Sequence, residues 1–354
     1  MIERKKLKVV LVEDSTIVKT ILKRILNNKY IEIVGTASNG EEGLKVVKET
    51  NPDVVCTDLL MPIMDGFEFT LKLMEEFPKP ILVISSVVQK ENEANIFNVL
   101  KAGAIDVFPK PRGNSSGDYE KIAEQLIQKI KVVSGVVVFS RKKSLQKIIK
   151  EDPNNDPGLI PLHLKGNYKI VLIGASTGGP PALQKLLKRL GSNFPIPIIC
   201  IQHISEGFTK GLIDWLNYNT DLKVQVAKQG ESPIAGNVYF PPDNEHLGID
   251  VNGKFSPIKS PPYKGHRPSV SVSFYSFFEY YKKSTLAVLL TGMGDDGSDA
   301  MAMIKSGGGF TIAQDKDSSV VFGMPRVAIE MGGASIILPL DNIPGKISTL
   351  CRKL

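Results

Sequence analysis

Residues 7–15, LKVVLVEDS, and residues 53–66, DVVCTDLLMPIMDG, follow one plan: a short run of β-branched and aliphatic residues that stops on carboxylates. A run without apolar–polar alternation reads as a strand buried on both faces, as in a parallel sheet layered between helices. Working outward, the strand candidates are Lys8–Val12, Ile31–Thr36, Val54–Thr57, Ile81–Ser85 and Ile105–Phe108. Amphipathic segments fall between them. Thr16–Asn27 carries Ile17, Thr20, Ile21 and Arg24 at helical spacing, Glu41–Glu49 is a second, and Tyr119–Val133 closes the set. Five β–α units in succession predict an α/β domain over residues 1–133, with a doubly wound, flavodoxin-like parallel sheet.

In such a sheet the functional edge lies where the strands end at their carboxyl termini. Glu13 and Asp14 follow the first strand and Asp58 the third; in a 2-1-3-4-5 order these strands are neighbours. Carboxylates crowded together raise one another's pKa and destabilise the fold unless a cation is bound. Oxygen-only ligands favour Mg²⁺, which keeps several waters and bridges to a phosphoryl group. Ser85 ends the fourth strand and Lys110 follows the fifth, a hydroxyl and a point charge suited to phosphoryl oxygens. Acidic residues also favour loops and helix starts for conformational reasons alone, so the weight lies in five residues at four successive strand ends.

The segments VLVEDS, DVVCTDLLMPIMDG, ILVISS and KAGAIDVFPKP resemble the response-regulator receiver family over roughly residues 7–130. The resemblance implies phosphotransfer from a histidine kinase to Asp58. It implies Mg²⁺ held by Glu13, Asp14 and Asp58, with the backbone carbonyl of Leu60 as a further ligand. The chain departs from the pattern once: receivers carry an aromatic residue three positions before the lysine, and here Val107 stands there with Phe108 beside it.

Residues 134–168 break the alternation. The basic run Arg141-Lys142-Lys143 precedes EDPNNDPG, which predicts a linker with one helical turn near Leu145–Lys150. From Lys169 a second alternation begins, with strands expected at Ile170–Ile173, Ile198–Ile201, Lys223–Ala227, Leu286–Leu290, Phe310–Ala313 and Ser335–Leu338. Asn252-Gly253 between strand-like flanks signals a β-hairpin inserted in this series. Residues 169–354 are therefore expected to form a larger, mostly parallel α/β domain.

Within it, VLIGASTGGPPALQKLL runs from a strand through a tight turn into a helix, and Gly174–Gly178 matches the G-x-S-x-G pattern that exposes a serine on a strained turn. Pro180 and Pro181 suit the first helical turn, so Ser176 is expected beside a helix N-terminus, which favours developing negative charge. A Ser/Thr helix cap fits the same residues; a dinucleotide loop fits poorly, because the glycines miss G-x-G-x-x-G. Of four histidines, His163 lies in the linker, His246 follows a PPDN turn and His266 sits in KGHRPS. His203 closes IICIQH at a strand end and is preferred as base because its strand is expected to neighbour that of Ser176. The acid is sought in LAVLLTGMGDDGSDAM, which offers Asp295, Asp296 and Asp299; its spacing does not fit an EF-hand loop. The order Ser, His, Asp differs from that of the α/β-hydrolases, so another fold is expected.

Composition narrows the alternatives. The net charge of +7 is spread thinly: 19 basic against 19 acidic residues in 1–133, 6 against 3 in 134–168, and 19 against 15 in 169–354. No stripe capable of displacing counterions from a nucleic acid emerges, nor a helix-turn-helix with a basic recognition helix. No apolar run reaches bilayer length, and MIERKKLKVVLVEDS lacks the apolar stretch of a signal peptide, so a cytoplasmic protein is expected. Cys56, Cys200 and Cys351 are too few and scattered for a disulfide framework or zinc knuckle.

The second half also resembles the catalytic domain of chemotaxis protein-glutamate methylesterases, the CheB family, through IGASTGGPPAL, IQHI, GHRPSVSVSF, LLTGMGDDGSDAM and FGMPRVAIEMG. With a receiver in front, the resemblance spans nearly the whole chain. It implies Ser176 as nucleophile, His203 as general base, Asp296 as orienting acid and the Met293 backbone N–H as an oxyanion donor, with Thr177 and His266 lining the site. It further implies methylated chemoreceptor helices as substrate, deamidation of receptor glutamine, and no cofactor in the catalytic domain.

Overall fold

A computed structural model describes residues 6–86, 93–111, 116–139 and 167–351; the helical turn expected at Leu145–Lys150, the basic run before it and His163 lie outside these. The chain divides into two compact units, Met1–Leu159 and Ile160–Leu354.

The first unit alternates β1 (Leu7–Val12), α1 (Thr16–Leu26), β2 (Ile31–Ala37), α2 (Gly40–Thr50), β3 (Val54–Thr57), α3 (Gly66–Glu76), β4 (Ile81–Ser85), α4 (Glu93–Ala102), β5 (Asp106–Pro109) and α5 (Ser116–Val133). The sheet order is β2-β1-β3-β4-β5, with every pairing parallel. Side-chain caps start the helices where the sequence supplies them: Ser15, Asn39 and Asp65 accept from the N–H groups of Val18, Glu42 and Glu68. Each such cap contributes about 1 kcal/mol. One face of the sheet packs Val9, Leu11, Cys56 and Ile84 against Leu22, Leu26, Leu126 and Ile130 of α1 and α5.

The second unit carries β6 (Ile170–Ala175), α6 (Gly179–Leu190), β7 (Ile198–Gln202), α7 (Thr209–Asn219), β8 (Lys223–Val226), β9 (Asn237–Phe240), β10 (His246–Ile249), β11 (Phe255–Ile258), α8 (Val270–Tyr281), β12 (Thr285–Leu289), α9 (Ser298–Ser306), β13 (Phe310–Gln314), α10 (Met324–Glu330), β14 (Ile336–Leu338) and α11 (Ile343–Cys351). Seven strands form one sheet in the order β14-β13-β12-β6-β7-β9-β8, and all six pairings are parallel. The inserted hairpin is β10–β11, an antiparallel pair outside that sheet. Its loop is longer than a two-residue Asn-Gly turn: Asp250 Oδ1 accepts from the N–H of Asn252 and of Lys254, and Gly253 takes φ +75°.

One strand escaped the sequence reading. β9 is only four residues, NVYF, and runs straight into the turn-forming PPDN, yet it occupies the position between β7 and β8. The core beneath α8 gathers Phe274, Phe277 and Phe278 against Leu172, Ile201, Tyr239 and Leu289. Among the described residues no helix is long and apolar enough to cross a membrane.

Candidate active site and phosphoacceptor pocket

At the carboxyl edge of the first sheet, ligand oxygens of Glu13, Asp14 and Asp58 lie within 4.8 Å of one another, with Glu13 and Asp58 buried and Asp14 exposed. Lys110 Nζ reaches Asp58 Oδ2 at 2.7 Å and Glu13 Oε2 at 2.8 Å. Burial pushes the carboxyls of Glu13 and Asp58 above the usual range, and the Lys110 contacts only partly offset it. Burial works against the Lys110 charge too, but hydrogen bonds to Asp58 and Glu13 raise its pKa overall. Three carboxylates against one ammonium leave an excess of negative charge among oxygen donors, which suits a hard divalent cation. The Leu60 carbonyl accepts no hydrogen bond among the described residues. Ser85 is buried, and its carbonyl accepts the Lys110 N–H at 2.9 Å, which sets the exits of β4 and β5 side by side. Val107 is half-buried, whereas Phe108 packs in the core with Leu126 and Ile130.

In the second unit the nucleophile candidate is built by three neighbouring strands. Ser176 follows the last residue of β6, and its N–H donates to the Thr291 carbonyl beyond the end of β12, at 3.0 Å. α6 begins at Gly179 with Gly178 at its N-cap in the left-handed region, φ +76°, and with no side-chain cap. Ser176 is therefore not the helix cap that the sequence equally allowed. A Cβ at Gly178 would lie 2.6 Å from Val320 Cβ, so this turn requires glycine on both conformational and steric grounds. Gly292 is constrained on steric grounds: a side chain there would run into Met324 Sδ and lie 2.7 Å from Ser176 Cβ.

Strand register brings the base candidate, His203, beside it. Ala175 of β6 pairs with Gln202 of β7, and the His203 N–H donates to the Ala175 carbonyl at 2.9 Å. Ser176 and His203 thus occupy equivalent steps beyond adjacent strand ends. His203 Nε2–H donates to Asp296 Oδ2 at 2.8 Å, and the opposite ring nitrogen, Nδ1, is buried with no hydrogen-bond partner. The His266 ring stacks on that of His203, centroids 3.8 Å apart and planes within 8°.

Asp296 alone of the three acidic candidates meets the imidazole. Besides His203 it accepts from the Val270 N–H at 2.7 Å, the Ser269 hydroxyl at 2.9 Å and the Ser271 N–H at 3.0 Å. Two of these are orphan donors of the first turn of α8, whose dipole favours a negative charge. Burial raises the Asp296 pKa, but His203 and the N–H groups of Ser271 and Val270 outweigh it and hold the carboxyl well below its usual range. Met293 is exposed, at 38%, and its backbone N–H has no hydrogen-bond partner among the described residues. Thr177 is buried, and its carbonyl accepts from the Thr291 hydroxyl at 3.0 Å.

Two supporting residues, Gln202 and Thr291, have no place in the sequence reading, and a third, His246, enters it only among the four histidines weighed as base. Gln202 donates through Nε2 to the carbonyls of both Ser176 and His203, each at 2.8 Å. Thr291 ties the nucleophile loop to the loop after β13: its hydroxyl accepts from Val321 N–H at 2.9 Å, and its own N–H donates to Gln314 Oε1 at 2.7 Å. His246 is fully buried; its Nδ1 accepts from the Ser269 N–H at 3.0 Å and its Nε2–H donates to the Pro261 carbonyl at 3.2 Å. Burial lowers its pKa, which keeps the ring neutral in the tautomer those two bonds require. The position of Gln202 next to His203, and of Thr291 in the run toward Met293, were the signals available.

Residues 171–347 match the CheB methylesterase family, and residues 9–116 match the response regulator receiver domain. The chain is 38% identical over 344 residues to a protein-glutamate methylesterase/protein-glutamine glutaminase of Nitrosospira multiformis, covering 97% of this chain and 96% of that one. A protein of the same name from Syntrophus aciditrophicus is 40% identical over 350 residues, 98% of each chain. Among solved structures, the Thermotoga maritima CheB methylesterase catalytic domain is 44% identical and superposes with a TM-score of 0.51, covering 52% of this chain and 98% of that one. A receiver followed by this hydrolase fold, matched end to end by such relatives, makes the chain a member of the CheB methylesterase family.

Proposed function

We propose that this chain is a protein-glutamate methylesterase and protein-glutamine glutaminase that acts on chemoreceptor helices under the control of phosphorylation at Asp58. The observation that carries the reaction is the His203 imidazole. One nitrogen is fixed on a buried carboxylate and the other is unpartnered, on the strand end next to that of Ser176. Nε2 carries the proton that Asp296 accepts, so Nδ1 holds the lone pair and is the basic nitrogen.

In the first step His203 Nδ1 takes the hydroxyl proton of Ser176 as Oγ attacks the ester carbonyl carbon. Asp296 stabilises the imidazolium so formed. The Ser176 N–H is engaged by the Thr291 carbonyl, so the oxyanion is assigned to other donors, chief among them the Met293 N–H. Collapse of the tetrahedral intermediate returns the proton to the leaving oxygen and releases methanol. Water, deprotonated by the same nitrogen, then cleaves the acyl-enzyme to glutamate and restores Ser176. With glutamine the leaving group is ammonia. Gln202 and Thr291 hold the nucleophile's backbone while charge builds and decays.

In the receiver, Asp58 is the acceptor for a phosphoryl group from a histidine kinase. Glu13, Asp14, Asp58 and the Leu60 carbonyl would hold Mg²⁺, which neutralises the charge gathered around the incoming phosphoryl group. Lys110 and Ser85 stand ready to hold phosphoryl oxygens. The unphosphorylated receiver is inferred to restrain the esterase, a restraint that a few kcal/mol of differential stability suffices to reverse.

Ser176→Ala is expected to abolish methanol release from methylated receptor; full activity in that variant would remove the nucleophile assignment. Residues 169–354 alone are expected to outpace the unphosphorylated full chain, and equal rates would end the case for restraint.

A further inference from the structure

Asp299, an acidic candidate of the sequence that does not touch His203, makes contacts that lead to both walls of the base. We propose that Asp299 is a positioning residue for His203: it fastens the segment that lays His266 on the imidazole face to the helix end that holds Asp296 on the imidazole edge. The inference rests on the reading of His203 as the base.

The segment between β11 and α8 contains a tight two-residue turn. Tyr263 and His266 exchange both backbone hydrogen bonds, at 3.0 and 2.9 Å, around Lys264 at φ +49° and Gly265 at φ +82°. Two successive left-handed residues make a turn of the primed type, the geometry that closes the tightest hairpins. This turn presents His266 to His203. Two side chains pin it to the acidic loop: the Tyr263 hydroxyl donates to Asp299 Oδ2 at 2.8 Å, and Lys264 Nζ lies 3.3 Å from the same oxygen and 2.9 Å from Asp295 Oδ2. The other oxygen of Asp299 accepts from the Ser271 hydroxyl. Ser271 in turn donates its N–H to Asp296 Oδ1 and accepts through its hydroxyl from the Gly297 N–H. Burial disfavours the Asp299 charge, yet the Ser271 and Tyr263 hydrogen bonds hold its pKa below the usual range.

One carboxylate therefore spans two arms. A ring held only at Nε2 can still swing about that hydrogen bond; a second ring against its face removes the freedom and points Nδ1 in one direction. Misplacement of a reacting group by about 1 Å costs on the order of 100-fold in rate, so the geometry of both arms bears on turnover.

The test uses the full-length protein. Asp299→Asn keeps the shape and removes the charge; kcat is expected to fall about 10-fold or more with KM little changed, as for a misplaced reacting group. Selective ¹⁵N labelling of histidine reads the ring directly, and the His203 nitrogens are expected to shift from a fixed Nε2–H tautomer toward averaged values. Lys264→Ala combined with Tyr263→Phe leaves the Ser271 arm intact and is expected to move both readouts the same way. His266→Phe preserves a stacked ring and should retain more activity than His266→Ala. Wild-type kcat and unchanged His203 signals in Asp299→Asn would overturn the proposal, as would His266→Phe no better than His266→Ala. If Asp299→Asn does not fold, the Lys264→Ala/Tyr263→Phe variant decides on the same readouts. Ser176→Ala run in parallel separates the outcomes: retained activity there strikes at the hydrolase reading, whereas the tautomer signals report on Asp299 alone.

Discussion

Asp296 is 1% exposed, and it stays charged only because His203 and three donors at the start of α8 converge on it. Asp296→Asn preserves the shape but turns one acceptor into a donor, which faces either His203 and the Val270 N–H or the Ser269 hydroxyl and the Ser271 N–H. By analogy with triads of this type, kcat is expected to fall about 10⁴-fold, measured as methanol release at saturating substrate. Its stability contribution has a definite sign. The folded pKa lies below the unfolded value near 3.8, so the contribution is complete above that value and is lost as the pH falls toward the folded pKa. Urea unfolding at pH 7 and below about pH 4 should accordingly show wild type losing its advantage over Asp296→Asn on acidification.

At the scale of the element, the strand–turn–helix around Ser176 is held by backbone geometry that only glycine satisfies. Gly178→Ala places a Cβ in the left-handed region and against Val320. It is expected to cost about 1–2 kcal/mol from conformation alone, read as a lowered denaturation midpoint of the second unit. Much of this is legible in the sequence. The apolar runs of β1, β3, β6 and β12 are continuous because both faces are buried, and the carboxylates and Ser176 sit where those runs end. β9 was not legible, since four residues closed by two prolines carry too little periodicity to separate strand from loop. Which of Asp295, Asp296 and Asp299 meets the imidazole was decided by α8, whose free N–H groups lie more than twenty residues away in sequence from the loop they select. Gln202 and Thr291 act through main-chain partners in distant segments, which spacing alone does not reveal.

For the whole molecule, the core beneath α8 in the second unit and the core between the first sheet and α1 and α5 have no residue in common. Calorimetry of the full chain is therefore expected to resolve two transitions. Mg²⁺ should raise only the one belonging to the receiver, by about 2.7 kcal/mol of stabilisation at 100 times its dissociation constant. Asp14→Asn, at an exposed position of the carboxylate cluster, should diminish that response. The sign with pH is opposite to that at Asp296. Glu13 and Asp58 have raised folded pKa values, so without metal the receiver should lose stability as the pH rises through them. The seven parallel strands of the second sheet have a last implication. Because every strand points the same way, Ser176, His203 and the Thr291–Asp296 loop all emerge on one rim, and the connections return to the opposite one. Substitutions that border the carboxyl ends of the strands should change turnover, some of them together with melting temperature, whereas those that border the amino ends should change melting temperature at constant turnover.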